Sequence, residues 1–268
     1  MKKEIKNQHV LVLGTGPSIK TYKEKIIKYI NENNCVVFGC NHITDILIPD
    51  YHFYGSTKRW KKYGHLVNKK SVLVTVNGFP KKIIKEKWKG QLIQFKTVKR
   101  IWKYGSDKDG SKEQKRCCVR YKDKKMFGCF RDIGTLAVFW AFVQGARKVD
   151  VVGFDGYTLY PEKVLNSSVK SQHCYGEGFT DGTTYKYSRK KDWDKYKTLR
   201  SLYKCVKSKW GFGFSILTPT IYDKFYNPDI FEIEIDPMSQ KWEEPKSFEY
   251  KNLYFKYMQN KKFKNPIF

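Results

Sequence analysis

Three groups of residues in this 268-residue sequence have the types and spacing for chemistry. The first is a polar stretch that holds one histidine, His173, among Tyr157, Tyr160, Tyr175, Tyr185 and Tyr187. An imidazole titrates near neutrality and can take a proton from a hydroxyl. Tyrosine hydroxyls donate to phosphate oxygens without a metal. Glu177 is a second candidate base in the same stretch. The second group is the turn Gly14-Thr15-Gly16-Pro17-Ser18. Glycines there would let a ligand approach the backbone, and the following helix N-terminus, capped by Ser18, favours a phosphate. The third is Asn41, which offers a donor and an acceptor to a base or ribose. Sugar transfer from an activated nucleotide needs a nucleotide anchor, a stabilised leaving phosphate and a base for the acceptor hydroxyl. Plainer readings stand beside these: a tight turn with a Ser cap, a turn asparagine, and a solvated loop histidine.

Other motifs point away from metals. Asp192-Trp193-Asp194 has the DxD spelling of metal-dependent transferases, but it opens the helix expected over 192–209. Acidic residues favour that end of a helix dipole, so a capping role is expected. Asp107-Lys108-Asp109 lies in a basic stretch and reads no better. The seven cysteines are odd in number, lack zinc-ligand spacing and include the adjacent pair Cys117-Cys118. They read as reduced thiols.

The elements that must position these groups follow from apolar runs. Strands are expected at 9–13, 35–38, 51–54, 71–76, 92–95, 148–152 and 212–217, with helices at 19–31, 136–144 and 192–209. Strands alternating with helices argue an α/β chain, a modified Rossmann-like parallel sheet with helices on both faces. The 136–144 helix is apolar on nearly every face and stops at Gly145. Residues 98–126 read as a basic surface excursion, 156–191 as an inserted lid, and 218–220 as the opening of a short helix. The catalytic domain is expected over 1–228, with 229–268 as a tail. The glycine turn and Asn41 then sit at the carboxyl ends of neighbouring strands, where such sheets bind ligands.

Charge narrows the partners. Lys plus Arg is 53 and Asp plus Glu is 26, a net charge of +27. Such an excess calls for an anionic partner: nucleic acid, a membrane surface or a phosphorylated ligand. No nucleic-acid motif is present, and that reading leaves the glycine turn unexplained. No run approaches the roughly 18 apolar residues of a membrane span. A cytoplasmic chain is expected, peripheral at the inner face of the membrane through the tail. Residues 250–268 carry five lysines, interleaved with aromatics, and no acidic residue.

Gly-Pro-Ser after the first strand, Cys40-Asn41 after the second, Arg131-Asp132-Ile133-Gly134-Thr135 opening a helix and Gly153-Phe154-Asp155 after the next strand occur in that order. Over roughly residues 9–220 this resembles bacterial lipooligosaccharide sialyltransferases of glycosyltransferase family 42. It also resembles a wider group that includes 6-hydroxymethylpterin diphosphokinases. The resemblance implies a CMP-linked nucleotide-sugar donor and no metal. It implies nucleotide contacts at Gly14, Gly16, Pro17, Ser18, Asn41 and Asp155. It implies a catalytic set of Tyr157, Tyr160 and Arg131 with a base. The family's histidine ends a Tyr-x-Gly-His sequence; matching Gly176 puts Glu177 there and leaves His173 four residues early. The family's Asn-Pro-Ser after strand three is Gly55-Ser56 here. The expected activity is transfer of a sugar, a sialic acid or related nonulosonic acid, to a surface glycan or glycolipid such as lipopolysaccharide; oligomer formation is left open. A diphosphokinase or other phosphotransferase is the alternative, and it needs carboxylates open to Mg²⁺. A basic nucleic-acid-binding protein is the third reading.

Overall fold

The computed structural model describes residues 4–43, 45–76, 79–99, 120–128, 132–157, 159, 174 and 185–233. Strands β1 (His9–Leu13), β2 (Val36–Cys40), β3 (Tyr51–Tyr54), β4 (Val72–Val76) and β5 (Leu92–Lys99) step outward in chain order, each parallel to the last. A hairpin, β6 (Arg120–Lys122) and β7 (Lys125–Gly128), closes that edge. The chain then returns to the other side of β1 as β8 (Lys148–Val152), with β9 (Phe214–Ile216) outside it. The order is β6-β7-β5-β4-β3-β2-β1-β8-β9, a Rossmann-like α/β sheet. Among the described residues, only the β6–β7 pairing is antiparallel.

Both faces are covered, which is why the central strands read as unbroken apolar runs. Alternate residues of β1 go to opposite faces. Val10 and Val12 join a core with Phe38, Phe53, Phe139 and Leu199, whereas Leu11 and Leu13 pack with Ile19, Ile26 and Val37. A third cluster of Trp60, Phe79, Ile84 and Trp88 lies under the short helices α3 (Thr57–Tyr63) and α4 (Lys81–Lys85).

Helix α5 (Ile133–Val143) crosses from the β7 side to β8 and is buried from Gly134 to Phe142. An all-round apolar helix needs cover on every side. The sheet supplies one side and the long helix α6 (Tyr185–Trp210) the other. At its start, Asp132 and Thr135 form a reciprocal capping box. At its end, Gly145 at φ +82 lets its own N–H reach Phe142 O and that of Ala146 reach Ala141 O, the Schellman pattern.

Several expectations need correcting. The 19–31 helix is two pieces, α1 (Ser18–Thr21) and α2 (Lys23–Glu32), broken at Tyr22. The basic 98–126 stretch holds the end of β5, all of β6 and the start of β7. Its hairpin turn is Asp123-Lys124, both at positive φ (52 and 55). That is the two-residue type I′ geometry, normally marked by Asn-Gly or Asp-Gly, so the usual signal was missing. The last long helix begins at Tyr185, inside the stretch expected as lid. No helix opens at 218–220; two 3₁₀ turns follow at Asp223–Phe225 and Pro228–Ile230. Phe231 and Ile233 are buried in the second core, so the packed chain runs past residue 228. The lysine-rich tail at 250–268 and Asp107-Lys108-Asp109 lie outside the described residues. Among those described, no helix is long and apolar enough to cross a membrane.

Candidate active site

Strands β1 and β8 lie side by side, but the chain leaves β1 toward β2 and leaves β8 toward β9. Loops diverging at such a point leave a crevice at the strands' carboxyl ends. A cavity of about 90 Å³ opens there, several times the space one water needs.

Gly14, Thr15 and Gly16 line one wall. The turn continues the β1–β8 ladder, with Gly14 N–H donating to Val152 O (2.8 Å) and Gly16 N–H to Gly153 O (2.9 Å). A Cβ on Gly14 would stand 2.4 Å from Gly153 O, and one on Gly16 would stand 2.4 Å from the Asp155 carboxyl carbon. Strand-end packing therefore requires both glycines. Asp155 is buried, and its Oδ2 accepts the Ser18 N–H at 2.9 Å. Its Oδ1 accepts the Ser18 hydroxyl at 2.5 Å. Ser18 is thus the capped residue rather than the cap, because the buried carboxylate from β8 reaches the helix start first. Pro17 is the N-cap of α1, and neither it nor Ser18 is part of the crevice lining.

Asn41 follows β2 in the left-handed region at φ +54, which asparagine tolerates better than most residues. Its N–H donates to Phe53 O at 2.8 Å, and its carbonyl accepts a short hydrogen bond from His52 Nε2. A carbonyl cannot donate, so Nε2 carries the proton. Burial lowers the His52 pKa to about 4, against the Asn41 hydrogen bond and with the charge of His42 adding to the fall. These bonds fix the Asn41 backbone, and the side chain lines the crevice. Its amide has no hydrogen-bond partner among the described residues.

The opposite wall comes from α5, α6 and the β8 exit. Asp132 Oδ1 accepts Thr135 N–H at 2.7 Å, and its Oδ2 lies 3.3 Å from Lys195 Nζ. The Lys195 ammonium also sits 4.1 Å from the centre of the Phe154 ring. Burial would lower its pKa, but Asp132, Tyr157 and Asp192 together hold it above the ordinary lysine range. Tyr157 lines the crevice and its backbone N–H donates to Asp192 Oδ1 at 2.9 Å. Burial raises the Tyr157 hydroxyl above the ordinary phenol range; Lys195 opposes this and Asp132 and Asp192 add to it. Tyr157 is therefore a donor at neutral pH. Asp192 is no helix cap: it lies two turns into α6, fully buried, and also accepts the Tyr222 hydroxyl at 3.1 Å.

The crevice thus gathers Gly14, Gly16, Asn41, Asp155 and Tyr157 from the expected site residues. Arg131, Tyr160, His173 and Glu177 lie outside the described residues. Cys174, next to His173 in sequence, is described and buried. Its N–H donates to Thr15 O at 2.8 Å and its thiol to His42 O at 3.9 Å. Burial pushes that thiol up to about 12, so it stays protonated. Sequence reasoning missed Arg59, Asp132 as a wall residue, and Lys195. The readable signal for Lys195 was its place beside Asp192, Tyr196, Leu199, Leu202 and Val206 on the buried stripe of α6. A lysine on such a stripe needs a partner.

Among the described residues, no group of three or more His, Cys, Asp or Glu side chains could hold a metal ion. The sequence matches no protein-family model, and no curated protein matches it.

Proposed function

We propose that the protein transfers a sugar from a nucleotide-sugar donor to an acceptor hydroxyl without a metal. The donor is a CMP-linked sialic or related nonulosonic acid, and the acceptor is a surface glycan or glycolipid. The observation that carries this reading is the Asn41 amide, unpartnered among the described residues, in a crevice at the switch between β1 and β8. The amide borders the open crevice, where a ligand can replace water on both its donor and its acceptor. A nucleoside base or ribose offers both the donor and the acceptor it needs.

In the reaction, the acceptor oxygen bonds to the anomeric carbon and its proton passes to a base, His173 or Glu177. The bond from the anomeric carbon to the phosphate oxygen breaks, and its electron pair leaves with the nucleotide monophosphate. Tyr157 donates to the departing phosphate, and Tyr160 and Arg131 complete the set. The phosphotransferase alternative is less well supported because it needs carboxylates open to Mg²⁺. Asp155, Asp132 and Asp192 each already accept hydrogen bonds from protein donors.

An anionic surface is the fitting place for a lipid-linked acceptor. Residues 57–89 expose ten lysines and a single acid, Glu86. Lysines near anionic lipid are attracted by about 1 kcal/mol each. The activity test is release of nucleotide monophosphate from CMP-, UDP- and GDP-linked sugars in the presence of a glycan acceptor. CMP release that depends on acceptor supports the reading; release from none of the donors removes it.

A further inference from the structure

The usual place for a phosphate in a Rossmann-like sheet is the glycine turn and the helix N-terminus behind it. In this protein that place is taken. The Ser18 N–H, at the start of α1, already has an acceptor in Asp155, whose carboxylate also takes the Ser18 hydroxyl. A Cβ on Gly16 would fall on this carboxylate, so Asp155 stands directly against the turn. A phosphate set on the turn would be placed beside a carboxylate, and like charges at close range repel. Helix α1 is also only four residues long and carries little dipole.

Across the crevice the situation is reversed. The Lys195 side chain is 18% exposed, and Asp132 is its one hydrogen-bond acceptor among the described residues. An ammonium has three N–H donors. Asp132 can engage them only in part, since its other oxygen is held by the Thr135 N–H at the start of α5. The Phe154 ring fills another side, 4.1 Å away, and excludes water there without offering a lone pair. Arg59 and Tyr157 line the same cavity, so cationic and neutral donors converge on it. A partly desolvated ammonium that keeps uncommitted donors facing a cavity is completed by an oxyanion.

We propose that Lys195, positioned by Asp132, is the crevice's anion subsite and receives the phosphate of the ligand, while the glycine turn does not. This rests on the proposed nucleotide-sugar reading for the identity of the ligand, but not for the existence of the subsite. It also supplies charge stabilisation without a metal. When the anomeric carbon–oxygen bond breaks, a phosphodiester bearing one negative charge becomes a monoester bearing two. The new charge develops beside the fixed ammonium, an interaction stronger in the transition state than in the bound donor. Losing Lys195 should therefore lower turnover more than donor affinity.

The test compares cytidine, CMP and inorganic pyrophosphate by calorimetry and thermal shift on the full chain. Wild type, Lys195→Gln and the exposed-lysine control Lys61→Gln are measured side by side. Lys195→Gln leaves Asp132 without its cation, so Lys195→Gln/Asp132→Asn, which removes both charges together, is included as the variant expected to fold. Wild type and Lys61→Gln should bind CMP about tenfold or more tightly than cytidine. Both Lys195 variants should lose that preference while cytidine binding changes by less than about twofold. If neither cytidine nor CMP binds, but pyrophosphate stabilises wild type and Lys61→Gln and not the Lys195 variants, the subsite stands and the nucleotide reading falls. Equal phosphate preference in wild type and the Lys195 variants overturns the proposal. So does the absence of stabilisation by either CMP or pyrophosphate in wild type.

Discussion

The Asp155 carboxylate accepts both the backbone N–H and the hydroxyl of Ser18, at 2.9 and 2.5 Å, across 137 residues of sequence. It ties the exit of β8 to the start of α1 and fixes the shape of the glycine turn between them. Both groups are buried. Asp155→Ala leaves two donors without an acceptor, so it should destabilise the fold by about 2–4 kcal/mol. Ser18→Ala keeps the backbone bond and should cost about 1 kcal/mol. Chemical denaturation separates the two, and equal losses would show that the hydroxyl, not the helix start, carries the contact. Gly16→Val belongs in the same stability series. Its side chain would strike Asp155, so lost binding in that variant would say nothing specific about ligand contact.

A pH dependence follows from His52. Its pKa lies near 4 in the fold, against about 6.5 in the unfolded chain. Between these values the unfolded state binds the proton and the folded state does not. Stability should therefore fall as pH drops from about 6.5 to 4, by on the order of 3 kcal/mol. Thermal melts across that range should show the slope in wild type and a reduced slope in His52→Gln. Asp150 acts in a lower window. Burial tends to raise its pKa, but hydrogen bonds from His9 and Tyr29 and the charge of Lys148 outweigh that and lower it from 3.8. Its contribution is present above that value and is lost as pH falls through the lower, folded one. An unchanged slope in His52→Gln would place the proton uptake elsewhere.

Turnover should survive EDTA. The described carboxylates nearest the cavity are engaged by Ser18, Thr135, Lys195, Tyr157 and Tyr222. Activity that stops on chelation and returns with Mg²⁺ or Mn²⁺ would favour the phosphotransferase reading.

The base is decided by paired substitution. His173→Ala should lower turnover by about two to four orders of magnitude with donor affinity little changed, the range for a general base. Glu177→Gln is measured beside it. An effect confined to Glu177 would favour the glycine register of the family; no effect in either variant would remove both from the mechanism.

Much of the scaffold was legible in the sequence because the central sheet is covered on both faces. Strands 51–54 and 148–152 coincide with the observed Tyr51–Tyr54 and Lys148–Val152. Helix α5 shows its burial in its own composition, since no face of it is polar enough to meet water. The β6–β7 hairpin was hidden because its strands are only three and four residues long, each carries charge, and its turn is Asp123-Lys124. At the crevice, the turn and Asn41 were readable because they end adjacent strands. Arg59 is concealed in the lysine-rich stretch 58–62, and Asp192 reads as a cap because the seven residues of α6 before it are polar and show no clear period. The Lys195–Asp132 pair joins two helices distant in sequence, and spacing alone carries no trace of such a meeting.

The central claim is that the crevice beside Asn41 takes a nucleotide. Its most direct measurement is a calorimetric titration of the full chain with CMP, repeated for Asn41→Ala and in EDTA. Saturable binding at one site per chain is expected, unchanged by EDTA and weakened about tenfold in Asn41→Ala, whose melting temperature falls by only the few degrees that alanine at φ +54 costs. No CMP binding by wild type, or equal affinity in Asn41→Ala, would contradict it.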